Sequence, residues 1–196
     1  MAALPRGLVP GDLMGLEHYA REREGFRARV IAHKRLRNVA VGPHTTWCFE
    51  DRLTIQYQVQ EMLRAERIFE AAGIQQELEA YNPLIPDGGN LKATLLIEYP
   101  DPAARALALR QLRGVEARCY VAIGAERVYA IADEDLQRDN DEKTSAVHFL
   151  RFELGPVARA GFRAGPVVIG VDHAAYSHVT TLAPASLAAL AADLDP

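Results

Sequence analysis

Hydrophobic residues recur with a helical period in the first third of the chain. Residues 16–30 follow helical spacing, and Gly25 predicts a break within them. Residues 49–70 predict one long helix, capped by Asp51, whose apolar side chains form two nearly opposite stripes. Such a helix packs against neighbours on two sides. Between the stripes, Gln56 and Gln60 are placed to hydrogen-bond one another or a neighbouring loop.

Strand patterns separated by turn signals fill the middle and the C-terminal part of the chain. Residues 38–51 predict two short strands around a Gly42-Pro43 turn. Residues 116–131 predict a hairpin in which Gly124-Ala125 forms a two-residue type II′ turn. Residues 167–171 (VVIGV) show no alternation, which predicts a strand covered on both faces. These patterns predict an α+β fold, with N-terminal helices packed on a mostly antiparallel sheet or half-barrel.

Length and composition predict one folded domain. The chain has 196 residues, of which 49% are hydrophobic and 24% charged, and it contains no repeat and no low-complexity linker. We therefore expect a single domain over residues 1–196, with residues 1–12 and 180–196 peripheral.

Charge, apolar runs and cysteines narrow the class and the compartment. The net charge of -4 disfavours a general nucleic-acid binder. No apolar run approaches the roughly 18 residues of a membrane span, and the first residues lack the continuous apolar core of a signal peptide. Cys48 and Cys119 stand far apart and form neither a disulfide framework nor a zinc-ligand set. We expect a protein of the reducing cytoplasm.

Glu66 is the least expected residue of the predicted helix over residues 49–70. Helical spacing places its carboxylate within the main apolar stripe, where a charge needs a cation, several hydrogen-bond donors or a metal ion. Two explanations stay open. One is a structural salt bridge to an arginine of another element. The other is a metal-binding or catalytic carboxylate.

A second group of polar residues follows the buried strand over residues 167–171. Asp172, His173 and His178 lie close together along the chain at the end of that strand. If residues 146–154 form a neighbouring strand, His148 or Glu153 completes a site with them. Imidazole and carboxylate ligands without a thiolate suit iron or zinc. The alternative is structural: Asp172 caps a turn and both His173 and His178 are solvated. His148 is then a hydrogen-bonded core histidine, and Arg151 and Glu153, on one face of their strand, take part in a cross-strand ion pair.

Other catalytic and binding motifs are missing from the sequence. Residues 85–92 (IPDGGNLK) lack the G-K-[ST] ending of a phosphate-binding loop, so no nucleotide motif is present. The nucleophile motif G-x-S-x-G is also absent. The basic run from Arg21 to Arg37 is interleaved with acidic residues, which is typical of a solvated helix face. Cys48 is interpreted as a packing residue.

Six long runs of the chain form a distinctive set: RVIAHKRLRNVAVGP, FEDRLTIQYQVQEMLRAERIFE, YNPLIPDGGNLKATLLIEYPD, RVYAIADEDL, EKTSAVHFLRFEL and GVDHAAYSH. Together they resemble the bacterial domain of unknown function (DUF) family 3501 over residues 13–178. The genes of that family commonly lie beside those of a rubrerythrin and a heterodisulfide-reductase-like iron–sulfur protein. The resemblance therefore implies, by association, a role near peroxide defence or electron transfer. It assigns no role to individual residues.

Three functional hypotheses follow. The first is an accessory protein of an iron or redox stress system that binds iron or zinc through His148, His173, His178 and one of Glu153, Glu66 or Asp172. The second is a metal-free interaction module, in which the polar helix and the basic run dock the iron–sulfur partner. The third is a small-molecule enzyme that uses the same carboxylates and imidazoles as general acids and bases. The metal hypothesis requires three or more of these side chains to meet, whereas the docking hypothesis leaves them scattered.

Overall fold

Six α-helices and nine β-strands form in the computed structural model, which describes residues 7–132 and 143–195. The helices are α1 (Leu16–Lys34), α2 (Arg52–Glu66), α3 (Ala71–Tyr81), α4 (Pro102–Gln111), α5 (Pro156–Ala164) and α6 (Pro184–Ala191). The strands are β1 (Asn38–Ala40), β2 (Thr45–Phe49), β3 (Asn90–Ile97), β4 (Cys119–Ile123), β5 (Glu126–Tyr129), β6 (Ile131–Ala132), β7 (Val147–Glu153), β8 (Val167–His173) and β9 (Tyr176–Thr181).

The strands form two antiparallel sheets. One sheet has five strands in the order β1-β2-β3-β7-β6, and the other has four in the order β5-β4-β8-β9. Every pair of neighbours is antiparallel. The predicted α+β class with a mostly antiparallel sheet is therefore confirmed, although the strands divide between two sheets that do not close into a barrel.

The two sheets share one hydrophobic core. Alternate residues of β2, β3 and β7 point inward, so that Trp47 stacks on Phe152 with ring centroids 5.5 Å apart. From the other sheet, β4 and β8 bury Val121 and Ile169 in the same core. Helices α4, α5 and α6 add further buried side chains to it: Leu109, Ala158, Phe162 and Leu190. Because side chains point to alternate faces along each strand, the other face of the five-stranded sheet points away from this core and is open to contacts with other elements.

The predicted turns are confirmed. Gly42 and Gly124 both have positive φ angles, of 74° and 59°. In the β4–β5 hairpin Ile123 pairs with Glu126, which leaves the expected two-residue turn. Only its first residue has positive φ, as a type II′ turn requires.

One face of the strand over residues 167–171 is buried. The other face is covered over only part of its length. Its second face carries Gly170, and a Cβ atom there would stand 2.7 Å from the Tyr120 ring. Arg127 in turn lies over that ring, 4.5 Å from its centroid. A neighbouring aromatic side chain therefore replaces the second layer that the apolar run predicted.

Helix α2 lies between two other helices, as its two apolar stripes predicted. One stripe, with Ile55, Val59 and Leu63, packs against Leu78 of α3. The opposite stripe packs on α1, where Tyr57 approaches Phe26 with 6.0 Å between ring centroids. The expected glutamine contacts are made to a neighbouring segment: the Gln56 amide donates to Asp12 O, and the Gln60 amide to Met14 O.

Two helix boundaries differ from the prediction. Helix α1 runs unbroken through Gly25. The expected helix over residues 49–70 ends at Glu66, because Arg67 adopts the left-handed conformation with φ of 57° and the Ile68 amide bonds back to Leu63 O. Glu66 is consequently an exposed residue of the last helical turn. It does not lie in a buried stripe.

The C-terminal segment is part of the core and is not peripheral. Leu182, Leu190 and Leu194 are buried in the main core. Arg163 of α5 donates to the backbone oxygen of Leu194. Asp193 forms an ion pair with Arg37. At the other end of the chain, Leu8 is also buried, and its amide donates to the Asn82 side chain.

Candidate functional site

A cleft opens between the outer face of the five-stranded sheet and the helices that cross it. Its volume is about 290 Å³. That volume lies at the lower end of the range found for small-molecule sites. Its lining comes from the sheet, from α2, from the end of α1 and from the end of α3: Lys34, Cys48, Glu50, Thr54, Ile55, Gln58, Tyr81, Leu84, Thr94, Leu96, Val147 and Phe149.

The floor of the cleft is set by the register of three strands. Cys48 of β2 lies beside Thr94 of β3, which lies beside Phe149 of β7. The next row outward brings Leu96 beside Val147. These residues point away from the shared core because they alternate with its buried residues. The floor is therefore largely apolar, with one hydroxyl and one thiol.

Glu50 is held in the cleft by hydroxyl groups. One of its carboxylate oxygens accepts a hydrogen bond from Thr94 at 2.8 Å, and the other accepts one from Thr54 at 2.6 Å. Its amide donates to Lys92 O, which continues the pairing of β2 with β3 by one residue. The carboxylate forms no ion pair within the described residues.

The strand-to-helix junction that carries Glu50 is fixed by a buried arginine. Arg37 is only 1% exposed, and its guanidinium donates to Phe49 O at 3.0 Å and to Glu50 O at 3.1 Å. It lies 3.4 Å from the carboxylate of Asp51. Asp51 caps α2 by accepting from the Thr54 amide at 2.9 Å, as predicted. Arg37 thus departs from the solvated face expected of the basic run.

Asp51 links this junction to the end of α1. Its carboxylate meets the His33 ring at 2.5 Å. Burial raises the pKa of the Asp51 carboxyl, but Arg37, the Thr54 amide and His33 together hold it below its ordinary value. The carboxylate is therefore ionised at neutral pH, and its charge is paired with that of Arg37.

Three polar groups of the cleft have no hydrogen-bond or ion-pair partner in the described part of the chain. They are the Lys34 ammonium, the Gln58 amide and the Tyr81 hydroxyl, and all three side chains are half-buried. Together they offer donors for an anion and an amide that both donates and accepts. Partner-free polar groups beside an apolar floor are typical of a ligand site.

Cys48 lies on the cleft floor as a neutral thiol. Burial, with a further contribution from Glu50, raises the pKa of the Cys48 thiol to about 11. Burial likewise raises the pKa of Cys119, which is fully enclosed in the core. Neither thiol is a thiolate at neutral pH, so the cleft holds no activated sulfur nucleophile.

Two of the predicted metal ligands lie on β7 and make structural contacts. His148 points into the core and is 1% exposed, with its Nε2 2.8 Å from the Thr144 hydroxyl and 3.1 Å from Ser145 O. It is a hydrogen-bonded core histidine. Glu153 is exposed at the end of β7, where it pairs with Arg151 and accepts from Asn90 at 3.1 Å.

The other predicted ligands lie in separate places. Asp172 pairs with Arg118 at 2.9 Å. His173 accepts from the Ala175 amide at 3.2 Å and thereby caps the β8–β9 turn, a role expected of Asp172. His178 is exposed on β9 with its ring 4.5 Å from that of Tyr176, and Glu66 ends α2.

The expected convergence of these residues is not seen. Strands β7 and β8 belong to different sheets, so the two strands do not pair as the predicted site required. Across residues 7–132 and 143–195, no group of three or more His, Cys, Asp or Glu side chains is arranged to hold a metal ion. The site that the structure does form, the cleft, was not predicted.

Sequence patterns gave only weak signals for the cleft. Lys34 was interpreted as part of a solvated basic run and Cys48 as a packing residue, and neither Glu50 nor Gln58 belongs to a known motif. The one available signal was the strand beginning at Thr45, in which polar residues alternate with aromatic ones. That alternation predicts a second face of intermediate polarity, but not what covers it.

The fold and the cleft define an α+β protein in which a helical layer lies across one of two antiparallel sheets. The chain belongs to the family described as Protein of unknown function (DUF3501), which it matches over residues 8–194. It is also similar to a crystal structure of a novel protein of unknown function from Burkholderia pseudomallei K96243. The two are 53% identical with a TM-score of 0.91, and the match covers 96% of this chain and 99% of that one.

The match to the family includes the C-terminal segment that sequence resemblance had left out. No curated protein sequence matches the chain. Among the described residues, no helix has both the length and the apolar character needed to cross a membrane.

Proposed function

We propose that this protein binds a small organic molecule in the cleft between the five-stranded sheet and the helical layer. One observation carries the proposal: the Lys34, Gln58 and Tyr81 side chains, which have no partner among the described residues, line a cleft of about 290 Å³ that has an apolar floor. A concave, mostly apolar surface with a few polar groups is the ordinary form of a small-molecule site. The neutral Cys48 thiol favours binding over nucleophilic catalysis by sulfur.

A screen of small metabolites by thermal unfolding tests this proposal. A ligand present at 100 times its Kd adds about 2.7 kcal/mol to the free energy of unfolding. For a chain of this size that gain corresponds to a rise in Tm of roughly 5–10 °C. The same ligand is expected to slow alkylation of Cys48 by iodoacetamide, measured by intact mass spectrometry at about pH 9, where the raised pKa of the thiol still leaves a reactive thiolate fraction. Cys119, which is fully buried, serves as the internal control.

Matched tryptophan variants locate the binding site. Gln58→Trp fills the cleft and is expected to abolish both the rise in Tm and the protection of Cys48 from alkylation. Arg64→Trp places the same side chain at an exposed position of the same helix and is expected to preserve them. A library without any stabilising compound, or a stabilising compound that acts equally on Gln58→Trp, would contradict the proposal.

The cellular setting forms a second part of the proposal. Cys48 and Cys119 are both free, which supports a reducing cytoplasm. A role beside a rubrerythrin or a heterodisulfide-reductase-like iron–sulfur protein stays a prediction. The exposed arginines Arg21, Arg27 and Arg35 on and just after α1 are the place to test docking. The natural protein is expected to pull down the iron–sulfur protein, and a variant with all three arginines changed to Glu is expected to lose it.

Iron or zinc binding also stays a prediction. It is tested by elemental analysis of untagged protein purified without chelators, beside a His173→Ala/His178→Ala double variant. Near-stoichiometric metal that is lost in the double variant would support it. Metal-free protein that stays folded and cannot be loaded with iron or zinc would contradict it.

A further inference from the structure

The cleft presents one positive and one negative side chain that do not pair with each other. The Lys34 ammonium has no ion-pair partner in the described residues, and the Glu50 carboxylate is held only by the hydroxyls of Thr54 and Thr94. Both side chains line the same small volume. Cys48 lies within electrostatic range of both, with Lys34 and Glu50 acting on its thiol in opposite directions. The cleft therefore carries one positive and one negative side chain, neither of which forms an ion pair within the described residues.

Both charges retain capacity for a ligand. An ammonium group has three donors, and none of those of Lys34 is used by another side chain or by the backbone. Each Glu50 oxygen accepts one bond from a threonine and keeps a further lone pair. The two threonines also fix the rotamer of Glu50, so little conformational entropy is lost when it binds a cation.

The apolar part of the cleft limits what else the ligand carries. Leu96, Val147 and Phe149 form the floor, and Ile55 and Leu84 contribute from the helical side. A volume of about 290 Å³ admits a molecule of few heavy atoms. A compact apolar substituent fits this surface, whereas a nucleotide or a long chain does not.

We propose that the ligand is a small zwitterion, with one primary ammonium and one carboxylate on an apolar body, as in a free α-amino acid with an apolar side chain. Glu50 binds its ammonium group, and Lys34 binds its carboxylate. Gln58 and Tyr81 supply further hydrogen bonds. This inference rests on the proposed small-molecule function of the cleft and specifies the chemical class of the ligand.

Three kinds of probe test the charge requirement by isothermal titration calorimetry. L-leucine and L-phenylalanine carry both charges, their N-acetyl derivatives carry only the carboxylate, and isoamylamine and phenethylamine carry only the ammonium. We expect the amino acids to bind at least tenfold more tightly than either single-charge analogue, because hydrogen-bonded charge pairs are the strong contacts.

Charge-removing variants assign each end of the ligand. Lys34→Gln is expected to weaken L-leucine at least tenfold while leaving isoamylamine unchanged. Glu50→Gln is expected to weaken L-leucine to a similar degree while leaving the N-acetyl derivative unchanged. Arg35→Gln, at the exposed neighbour of Lys34, is expected to have no effect. Thermal unfolding of each variant checks that the fold is retained. Thr94→Val, which removes one of the two hydrogen bonds that hold the Glu50 carboxylate, is expected to give an intermediate loss.

The outcomes separate this inference from the proposed function. Single-charge analogues that bind as tightly as the amino acids would contradict the proposal that the ligand is a zwitterion. A compound from the metabolite screen that loses binding in Gln58→Trp and lacks one of the two charges would also contradict it. In both cases the proposed binding function of the cleft would be retained. If no compound of the screen binds, the proposed function fails and the zwitterion fails with it.

Discussion

At the scale of single residues, Arg37 fixes the junction between β2 and α2 that carries Glu50 into the cleft. Its guanidinium binds two backbone oxygens at the junction between β2 and α2 and pairs with Asp51 and Asp193. Glu50 lies in this junction, so its position in the cleft follows from the bonds of Arg37. A buried charge of this kind is tolerated because its donors are satisfied.

Replacing Arg37 therefore removes partners from several buried groups at once. We expect Arg37→Met to lower the free energy of unfolding by about 3–5 kcal/mol, because Asp193 and two backbone oxygens lose their donor. Arg35→Met, at an exposed position two residues earlier, is expected to change it by less than about 0.5 kcal/mol. Urea unfolding measures both. Equal effects of the two substitutions would show that the buried network adds no stability.

Glu61 gives the fold an acid dependence. Hydrogen bonds from Arg23 are the main reason that the pKa of its carboxyl falls from 4.5 to about 2, with a further hydrogen bond from Tyr19. Because the pKa is lower in the folded state, ionised Glu61 stabilises the fold. That contribution is complete above the unfolded pKa of about 4.5 and disappears as the pH falls towards 2.

The variant Glu61→Gln tests this dependence. We expect it to be less stable than the natural protein at pH 7 and the difference to shrink steadily between pH 5 and pH 2. Glu24→Gln, at an exposed position of α1, is expected to match the natural protein at every pH. Urea unfolding over a pH series provides the measurement. A difference between Glu61→Gln and the natural protein that does not change with pH would contradict the assignment.

At the scale of elements, the two sheets meet where the β1–β2 turn contacts β9. The Tyr176 hydroxyl donates to Val41 O at 2.7 Å and accepts from the His44 amide at 3.0 Å. Thr180 donates to Ala40 O at 2.7 Å. Gly42 lies at the centre of this seam, and the His178 ring covers it. The seam needs glycine there both for its positive φ and for the close approach of that ring.

Substitution of Gly42 tests the seam. A Cβ atom at Gly42 would stand 2.5 Å from His178 Cγ and from the Tyr176 oxygen, so β9 has to shift. Gly124 also has positive φ, but a Cβ atom there meets nothing within 4 Å. We expect Gly124→Ala to cost about 1–2 kcal/mol of stability, from backbone strain alone. Gly42→Ala is expected to cost clearly more in the same urea titration, and an equal cost would contradict the seam.

The elements that sequence patterns predicted are those determined by local signals. The hairpin at Gly124 was predicted from a glycine in a two-residue turn, and the turn at Gly42 from a glycine followed by proline. The packing of α2 between two helices was predicted from its two apolar stripes. The end of α2 gave no such signal, because Arg67 adopts a conformation that usually belongs to glycine. For the same reason Glu66 was predicted to lie in a buried stripe, whereas the buried part of that stripe ends at Leu63.

The cleft could not be predicted from sequence patterns for a different reason. Its charged residues, Lys34 and Glu50, come from the end of α1 and from the junction after β2, and only the packing of the helical layer brings them together. The predicted metal ligands do not converge among the described residues for the converse reason: their convergence assumed that β7 and β8 are neighbours. Strand order between two sheets depends on long-range contacts that hydrophobic periodicity does not report.

At the scale of the whole molecule, the C-terminal segment completes both the core and the Arg37 network. Leu190 and Leu194 are buried in the core that the two sheets share, and Asp193 pairs with Arg37. The β2–α2 junction, and with it Glu50, is therefore linked to residues about 140 positions away along the chain. The family match likewise extends to residue 194.

Removal of residues 183–196 is accordingly expected to unfold the protein. Loss of a buried leucine costs about 2–5 kcal/mol, and this deletion removes two together with a partner of Arg37. The total stability of a domain is only about 5–15 kcal/mol, so little remains. Circular dichroism and urea unfolding compare the truncated chain with full-length Leu190→Ala, which we expect to stay folded but less stable. A truncated chain that unfolds cooperatively within about 2 kcal/mol of the natural protein would show that the segment is peripheral after all, because the core and the buried arginine would then be complete without it.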